Sequence, residues 1–95
     1  MKRFYVYIMS NEKRGAIYVG VTSNLIKRIY EHKNNMFKGF TSKYSLHRLV
    51  YFEIINFGND AFNREKQLKS WNRAWKIRLI EKDNSEWKDL YQNIL

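Results

Sequence analysis

Two short apolar runs separated by a polar turn constrain this fold more than any other feature of the sequence. Residues 4–9 and residues 16–21 are both rich in aromatic and β-branched side chains, which favour the pleated surface of a strand. Residues 11–15 between them are polar and end in a glycine. The pattern predicts an antiparallel hairpin whose loop is longer than the tightest turns.

The periodicity changes from strand to helix after the second run. Leu25 and Ile29 follow helical spacing, and Ser23 or Asn24 is placed to cap the helix at its start. Two asparagines follow at residues 34–35, where we expect the helix to end.

The middle of the chain holds a basic loop and a third strand. Residues 36–47 combine basic side chains with glycine, serine and threonine, which predicts an irregular loop. Residues 46–57 are β-rich and are expected to form the third strand. The polar residues 58–60 are expected to end that strand and to cap a helix that begins near Ala61.

Residues 61–82 form a long segment with helical patterning, in which we expect a bend or break near residues 70–73. The side chains expected on its buried side are Phe62, Leu68, Trp71, Trp75 and Leu79. Residues 85–95 have the spacing of a further amphipathic helix. The order β-β-α-β-α-α, with this possible extra C-terminal helix, indicates an α+β fold in which helices flank a small three-stranded antiparallel sheet.

Composition narrows the class of protein. A chain of 95 residues has room for one domain, spanning residues 1–95, and 44% hydrophobic content is too high for a disordered polycation. The absence of cysteine excludes disulfide scaffolds, thiolate zinc fingers and thiol nucleophiles. The longest apolar run is six residues, too short for a signal peptide or a membrane helix. We expect a soluble, cytoplasmic protein without a membrane partner, and the lack of cysteine is compatible with that compartment.

The formal net charge of +9 is concentrated in two segments. Residues 22–48 and residues 61–78 each contain six basic residues against one glutamate. Two basic segments on neighbouring elements suit a surface that follows phosphates, whereas the ordinary alternative is a solvated surface that aids solubility. The residues expected to contact nucleic acid are Gly20, Thr22, Lys27, Lys43, Lys69, Asn72, Arg73 and Lys76.

Strand alternation places a pair of tyrosines on one face of the hairpin. Tyr7 lies opposite Val6 and Ile8, and Tyr18 shares a face with Gly20, so the two tyrosines are predicted to point to the same side. Gly20 is expected to leave an open patch where another backbone can approach. Packing of the tyrosines beneath a helix is the ordinary alternative.

Three further side chains have functional and structural interpretations. Arg28 and His32 lie one helical turn apart; the first offers a fork for a phosphate and the second can transfer a proton near neutral pH. Either one can equally be a surface arginine or a structural histidine. Glu65 is the one acid of its basic segment, where a divalent cation would need an anionic ligand; the alternative is an ion pair with Lys69 at i+4.

These positions resemble the GIY-YIG nuclease superfamily, which includes the nuclease domains of the bacterial excision-repair incision subunit and of homing endonucleases. The segments 5–7 (Tyr-Val-Tyr) and 18–20 (Tyr-Val-Gly) resemble its two signature strands, with Tyr5 where the signature has glycine. Residues 40–53 and 64–69 resemble the small stand-alone branch of the family, including its glutamate-bearing helix. The resemblance covers about residues 4–80.

The resemblance implies a divalent-metal-dependent endonuclease that hydrolyses phosphodiester bonds in DNA. It makes Tyr18 the general base for the attacking water, with Tyr7 hydrogen-bonded nearby. It also implies that Arg28 stabilises charge on the scissile phosphate, that His32 assists positioning or proton transfer, and that Glu65 holds one Mg²⁺ or Mn²⁺. A free tyrosine has a pKa of about 10, so the base would depend on neighbouring cations to favour its ionised form.

The substrate is open at this point. The superfamily acts in DNA repair, mobile-element homing, restriction and recombination, and with no attached domain we expect weak sequence selectivity and a preference for structured or damaged DNA. Asn72, Lys69 or Lys76 could fill the family's later polar position. Phe37, Phe40 and Tyr44, within the basic loop, could stack on exposed bases or plug the core. The alternative functions are a catalytically weak or inactive nucleic-acid-binding module and a small interaction protein whose basic face docks an acidic partner.

Overall fold

A three-stranded antiparallel sheet with the N-terminal strand in its middle forms the centre of the molecule. A computed structural model describes residues 2–95. Its strands are β1 (Phe4–Ser10), β2 (Ile17–Thr22) and β3 (Arg48–Ile55), in the spatial order β2-β1-β3. β1 and β2 form the predicted hairpin, and β3 pairs with the other edge of β1.

Helices flank both faces of this sheet. They are α1 (Leu25–Lys33), α2 (Phe40–Lys43), α3 (Gly58–Ser70), α4 (Arg73–Asp83) and α5 (Tyr91–Ile94). The predicted α+β class and the order of its main elements are confirmed. Within residues 2–95, no helix is long and apolar enough to cross a membrane.

Apolar side chains pack in two separate clusters, one on each face of the sheet. The first core contains Val6, Ile8, Val19, Val50, Ala61, Leu68, Ile80 and Trp87. The second core contains Tyr7, Met9, Leu25, Ile29, Leu46 and Leu49. The predicted alternation along β1 and β2 is confirmed, because neighbouring residues in each strand go to opposite cores. The tyrosine face lies under α1, and the aliphatic face lies under α3 and α4.

The predicted cap of α1 is confirmed. The side-chain oxygen of Asn24 accepts a hydrogen bond from the backbone N–H of Lys27 at 3.1 Å, which satisfies one of the free donors of the first turn. The irregular loop predicted for residues 36–47 is wrong at residues 40–43, where α2 forms. Thr41 is buried, and its carbonyl accepts a hydrogen bond from the N–H of the buried Leu46. These tertiary contacts order the segment, and they cannot be predicted from its composition.

The predicted start of the next helix is also wrong, since α3 begins at Gly58 and not near Ala61. Phe57 has an extended backbone and is the N-cap residue. Its carbonyl accepts a hydrogen bond from the N–H of Ala61 at 3.0 Å, so the first helical hydrogen bond already spans residues 57–61. Asp60 therefore lies in the first turn, where its negative charge interacts favourably with the helix dipole.

The predicted break in the long helical segment is confirmed at Trp71 and Asn72. Trp71 has extended dihedral angles, and the side chain of Asn72 caps α4 by accepting from the N–H of Trp75 at 2.9 Å. Part of the predicted buried side is wrong: Phe62 and Trp75 are 51% and 48% exposed. The buried residues of α3 are Ala61 and Leu68, and Phe62 lies outside that face. The two-residue break before α4 interrupts the helical phase, so the spacing from Leu68 no longer places Trp75 on the buried side. Leu68 is fully buried, and Trp71 and Leu79 pack partly against the first core.

The C-terminal segment crosses the end of the sheet from one core to the other. Trp87 is fully buried in the first core, whereas Leu90, Tyr91 and Ile94 pack against the second core. No single helix face can reach both. The prediction of a helix over residues 85–95 is therefore wrong except at α5. The apolar residues on which that prediction was based are nevertheless packed against the cores.

Candidate active site

Tyr7, Tyr18 and His32 form a compact aromatic triangle on the α1 face of the sheet. The Tyr7 and Tyr18 ring centroids are 6.4 Å apart, and the His32 ring lies 5.6 Å from each of them. Tyr7 and His32 are joined directly, with 2.9 Å between the phenol oxygen and Nε2. Three of the predicted site residues, which lie on β1, β2 and α1, are thus in contact in the structure.

Gly20 makes room for the ring of Tyr7. The two residues are directly opposite each other in the β1–β2 register. A Cβ atom at Gly20 would lie 2.5 Å from both Cζ and the phenol oxygen of Tyr7. The expected open patch at Gly20 is therefore wrong, since the Tyr7 ring occupies it and Gly20 is itself buried. Gly20 acts on the site by letting the phenol lie flat against β2.

Burial moves the pKa values of Tyr7 and His32 in opposite directions, so that both side chains are neutral at pH 7. Desolvation raises the pKa of Tyr7 well above its ordinary value, so its phenol is protonated at neutral pH. Desolvation, followed by the positive charge of Arg28, lowers the pKa of His32 to about 4. His32 is therefore neutral at pH 7, and we assign the Tyr7 hydroxyl as donor to Nε2. The Nδ1 atom of His32 is buried and contacts no hydrogen-bonding group of the described chain.

An open cavity of about 210 Å³ lies over this triangle. We call it the tyrosine pocket; its lining residues are Tyr18, Arg28, His32, Phe37, Lys38, Phe40 and Thr41. Sequence reasoning missed Lys38 and Thr41 as pocket residues and left Phe37 undecided between stacking and core. α2 and the loop before it supply four of the seven residues, and no local pattern indicates where that loop folds.

Arg28 lies at the mouth of the tyrosine pocket. Its guanidinium is 5.2 Å from the centre of the Phe37 ring, and its Nε is 3.5 Å from a carboxylate oxygen of Glu31. Stacking and the ion pair hold the guanidinium beside the pocket, while its side chain keeps 35% exposure. A planar cation in this position can bind an incoming phosphate with two parallel hydrogen bonds.

Glu65 approaches the triangle from α3. Its negative charge is close enough to contribute to the raised pKa of Tyr7, and its side chain is only 12% exposed. The i+4 ion pair with Lys69 forms, at 3.4 Å, and the Lys69 amine also lies 5.8 Å from the centre of the Tyr18 ring. The ion pair that is the structural alternative for Glu65 is therefore present, and the same carboxylate acts electrostatically on Tyr7.

Residues 3–78 match the family model of the GIY-YIG catalytic domain. The chain belongs to the GIY-YIG family. The UPF0213 protein of Staphylococcus saprophyticus is 32% identical over 80 residues, which cover 84% of this chain and 96% of that protein. The UPF0213 protein of Clostridium perfringens is 38% identical over 76 residues, covering 80% and 81%.

A solved structure has the same fold. The solution NMR structure of the UPF0213 protein of Bacillus halodurans matches with a TM-score of 0.55 and 27% identity, over 86% of each chain. These similarities confirm the predicted resemblance to the small branch of the GIY-YIG family. Membership of this family supports a nuclease-type function.

A metal site in this GIY-YIG domain would have to be built largely from one carboxylate. Among residues 2–95, no three His, Asp or Glu side chains cluster in a way that could hold a metal ion without other ligands. Glu65 nevertheless suits Mg²⁺, which keeps several waters and is often bound by one or two carboxylates together with phosphate oxygens of the substrate. The donor set therefore fits a cation that completes its coordination with substrate and water.

Several residues predicted to contact nucleic acid also have contacts within the GIY-YIG domain. Asn72 caps α4, and Arg73 donates to the backbone oxygens of Arg14 and Gly15, the latter at 2.7 Å. These contacts give Asn72 and Arg73 structural roles at the α3–α4 turn and the hairpin loop. Their contact with DNA stays a prediction.

The remaining predicted contacts are spread over β2, α1, α2 and α4. The hydroxyl of Thr22 accepts from the N–H of Asn24 at 3.1 Å and so shapes the loop that leads into α1. Thr22 and Lys27 line a second depression together with Arg28 and Phe37, two residues that also line the tyrosine pocket. Lys43 is exposed on α2. Lys76 is half-buried beside Lys69, and burial followed by that neighbouring charge lowers the pKa of its amine.

Proposed function

We propose that this GIY-YIG domain is a divalent-metal-dependent DNA endonuclease that hydrolyses phosphodiester bonds. The observation that carries the proposal is that Tyr18, Arg28 and His32 line one open pocket, with Tyr7 bonded to His32 beneath it and Glu65 close enough to Tyr7 to affect its pKa. A structural core would not need a buried tyrosine–histidine pair, a stacked arginine and a carboxylate at the same place. Perturbed titratable groups that line a cavity are typical of active sites.

The two tyrosines have different roles. Tyr7 is fully buried and holds its proton, so it cannot accept one from water at neutral pH. It orients His32 instead. Tyr18 is half-buried and lines the tyrosine pocket with Lys69 near its ring, so it is the tyrosine that can reach an attacking water. We assign Tyr18 as the general base and Tyr7 as a positioning residue.

Arg28 and His32 complete the chemistry at the phosphate. The Arg28 guanidinium binds the scissile phosphate and stabilises the negative charge that grows as water attacks phosphorus and the bond to the leaving oxygen breaks. His32 is neutral, and its Nε2 is engaged by Tyr7. Its Nδ1 is buried and has no hydrogen-bond partner, so neither ring nitrogen is exposed to the pocket in this conformation. We therefore assign His32 a positioning role, and proton transfer through Nδ1 would require substrate binding to expose that atom.

Glu65 would hold one Mg²⁺ or Mn²⁺. A divalent cation, when bound, polarises the phosphate and makes water a stronger acid. Because Glu65 is already paired with Lys69, the affinity for metal should be weak until a substrate phosphate adds its own oxygens. We further propose that the substrate is structured or damaged DNA, and that the enzyme acts in the cytoplasm, in DNA repair or recombination.

The second candidate is a DNA-binding module that cuts poorly or not at all. The Glu65–Lys69 ion pair favours it, because the carboxylate is neutralised before any metal arrives. The interaction-protein alternative lacks such a specific observation.

The test is nicking of supercoiled plasmid with Mg²⁺ or Mn²⁺. Wild type is compared with Tyr18→Phe and Glu65→Ala, and each has a matched control. Tyr30→Phe changes a tyrosine that is 54% exposed, and Glu86→Ala changes a glutamate whose side chain is 64% exposed. Metal-dependent nicking that is lost in both site variants and kept in both controls supports the endonuclease. Salt-sensitive DNA binding with no cutting of plasmid, branched or single-stranded substrates would support the binding module instead.

A further inference from the structure

The break between α3 and α4 leaves an aromatic groove on the surface. Trp71 and Trp75 meet edge to face, with ring centroids 5.9 Å apart and an angle of 87° between their planes. The groove has a volume of about 540 Å³, and Arg78, Leu79 and Lys82 complete its lining. We call it the tryptophan groove. It shares no lining residue with the tyrosine pocket.

Its residues form one continuous helix face. Positions 75, 78, 79 and 82 are three and four residues apart, so their side chains stand in one row along α4. Most of this row points to solvent, because Ile77 and Ile80 form the inward side of α4, while Leu79 packs partly against the first core. An indole that is 48% exposed within such a row is unusual for a structural residue.

The chemistry of the groove selects its ligand. Its floor is aromatic and apolar, both of its charged lining residues are basic, and no acid lines it within the described part of the chain. The guanidinium of Arg64 also lies 5.3 Å from the centre of the Trp71 ring, but it is paired with Glu53 at 2.7 Å, so the positive charge of the groove comes mainly from Arg78 and Lys82. A ligand that fits the groove has a flat ring with apolar faces and a negatively charged group attached close to that ring. Nucleotides have this combination, and exposed tryptophans that border cations bind single strands by base stacking.

We propose that the tryptophan groove binds unpaired bases of DNA, which stack on Trp75 while Arg78 and Lys82 contact the flanking phosphates. The proposal rests on the proposed DNA-acting function and specifies it: the substrate has a single-stranded or frayed segment. Paired bases cannot stack on Trp75, because their faces are covered by neighbours within the duplex. The groove is therefore selective for strand structure rather than for sequence.

The position of the groove suits this role. Glu65 lies on α3, and Trp71 directly follows the last residue of that helix, so the helix that carries the proposed metal ligand leads to the groove. A strand that runs along α3 can thus contact both.

A second copy of this chain and an anionic membrane surface fit the groove less well. In a symmetric dimer centred on this face, Arg78 and Lys82 would face their own copies, which repels two chains that each carry a net charge of +9. A membrane-binding helix would need a broad apolar face, whereas α4 offers one exposed tryptophan and one partly buried leucine. Both occupants are outcomes of the test below.

The test measures binding of a fluorescein-labelled oligo-dT 20-mer and of a 20-base-pair duplex by anisotropy, in EDTA so that no cleavage occurs. Trp75→Ala is compared with wild type, with the conservative Trp75→Phe, and with Phe62→Ala as matched control. Phe62 is an exposed aromatic on α3 that also lies beside a lysine, Lys66, but it does not line the groove. Circular dichroism checks that each variant is folded.

Trp75→Ala should weaken oligo-dT binding at least fivefold, with less than a twofold change for duplex. Trp75→Phe should restore most of the loss, and Phe62→Ala should change neither ligand. An equal loss on both ligands, or no loss on oligo-dT, would overturn the proposal. It would also be overturned if Trp75→Ala abolished a dimer seen by sedimentation, or if anionic vesicles but not oligo-dT bound in a Trp75-dependent way. Because no metal is present, this result is independent of whether the domain cuts DNA.

Discussion

The phenol of Tyr7 on the central strand donates to Nε2 of His32 on α1, across 2.9 Å of buried space. The bond joins the sheet to the helix at the base of the tyrosine pocket. It also fixes the tautomer of the neutral imidazole, because Nε2 accepts this bond and the buried Nδ1 then carries the proton. Removing the phenol oxygen therefore changes both the stability of the fold and the geometry of the site.

Tyr7→Phe should destabilise the protein by about 1–3 kcal/mol, since it leaves Nε2 of His32 buried without a partner. Nicking should fall on the order of 100-fold because His32 loses its orientation. Urea unfolding and the plasmid assay measure the two effects. Tyr30→Phe, on the exposed side of α1, should alter neither. Full cleavage by a folded Tyr7→Phe protein would mean that His32 does not depend on this bond.

Gly20→Ala should disturb the same pair from the opposite strand. The added methyl carbon would lie 2.5 Å from the Tyr7 phenol, so the ring must shift, at a cost of about 1–3 kcal/mol. The hydrogen bond to His32 would lengthen or break. The matched control is Gly58→Ala, where the nearest atom is 3.3 Å away at the tip of the Phe4 ring. The urea midpoint should drop clearly more for Gly20→Ala, and equal drops would argue against close packing at Gly20.

The depressed pKa of His32 predicts a loss of stability in mild acid. Its pKa is about 4 in the folded protein and 6.5 for the ordinary group, so the unfolded chain binds the proton more tightly. The stability contributed by neutral His32 is complete above pH 6.5 and is lost as the pH falls toward 4. Between pH 7 and pH 5 the free energy of unfolding should fall by about 2 kcal/mol.

His32→Gln isolates this effect, because glutamine can still accept from Tyr7 but does not titrate. Its unfolding free energy should change much less over the same interval. The carboxylates with lowered pKa, Glu53 and Glu81, titrate below this window in both proteins. If the two proteins lost stability in parallel between pH 7 and pH 5, His32 would not be the group responsible.

The sequence predicted the parts of the site that depend on local rules. Alternation alone places Tyr7 and Tyr18 on one face, and the cap at Asn24 sets the phase of α1 and thus the direction of Arg28 and His32. Packing between distant segments decided the rest. The Tyr7 ring leans over Gly20 only because the two residues share a register position, which strand patterns do not specify.

Trp75 and Trp87 illustrate the same limit. Both carry the helical spacing of core residues, yet one is 48% exposed and the other fully buried. The difference arises because the break at Asn72 interrupts the helical phase before α4, while residues 84–90 leave helical geometry to bury Trp87. Asn84 stabilises that excursion, since its amide donates to the backbone oxygens of Val50 and Lys88 at 3.0 and 2.9 Å. Hydrophobicity patterns cannot distinguish an apolar helix face that packs against the core from one that stays exposed to solvent.

Lys69 should affect metal binding and DNA binding in opposite directions. Its amine lies 3.4 Å from Glu65, so it competes with a cation for that carboxylate and repels it. Lys69→Met removes the charge and keeps most of the side-chain length. Mn²⁺ affinity measured by calorimetry without DNA should therefore rise roughly threefold to tenfold. DNA affinity should fall, and the slope of its logarithm against log salt should decrease by about 1, because one phosphate contact is lost.

Lys66→Met is the matched control for this experiment. Lys66 directly follows Glu65 on the same helix, but its amine lies over the exposed Phe62 ring, at 4.5 Å, and Glu65 pairs with Lys69 instead. It should leave Mn²⁺ affinity unchanged. Glu65→Ala should abolish the Mn²⁺ binding that Lys69→Met strengthens, and a double variant should bind no better than Glu65→Ala alone. If Lys69→Met and Glu65→Ala both left Mn²⁺ affinity at the wild-type value, the metal would bind elsewhere, and the proposed role of Glu65 would be wrong even if the protein cuts DNA.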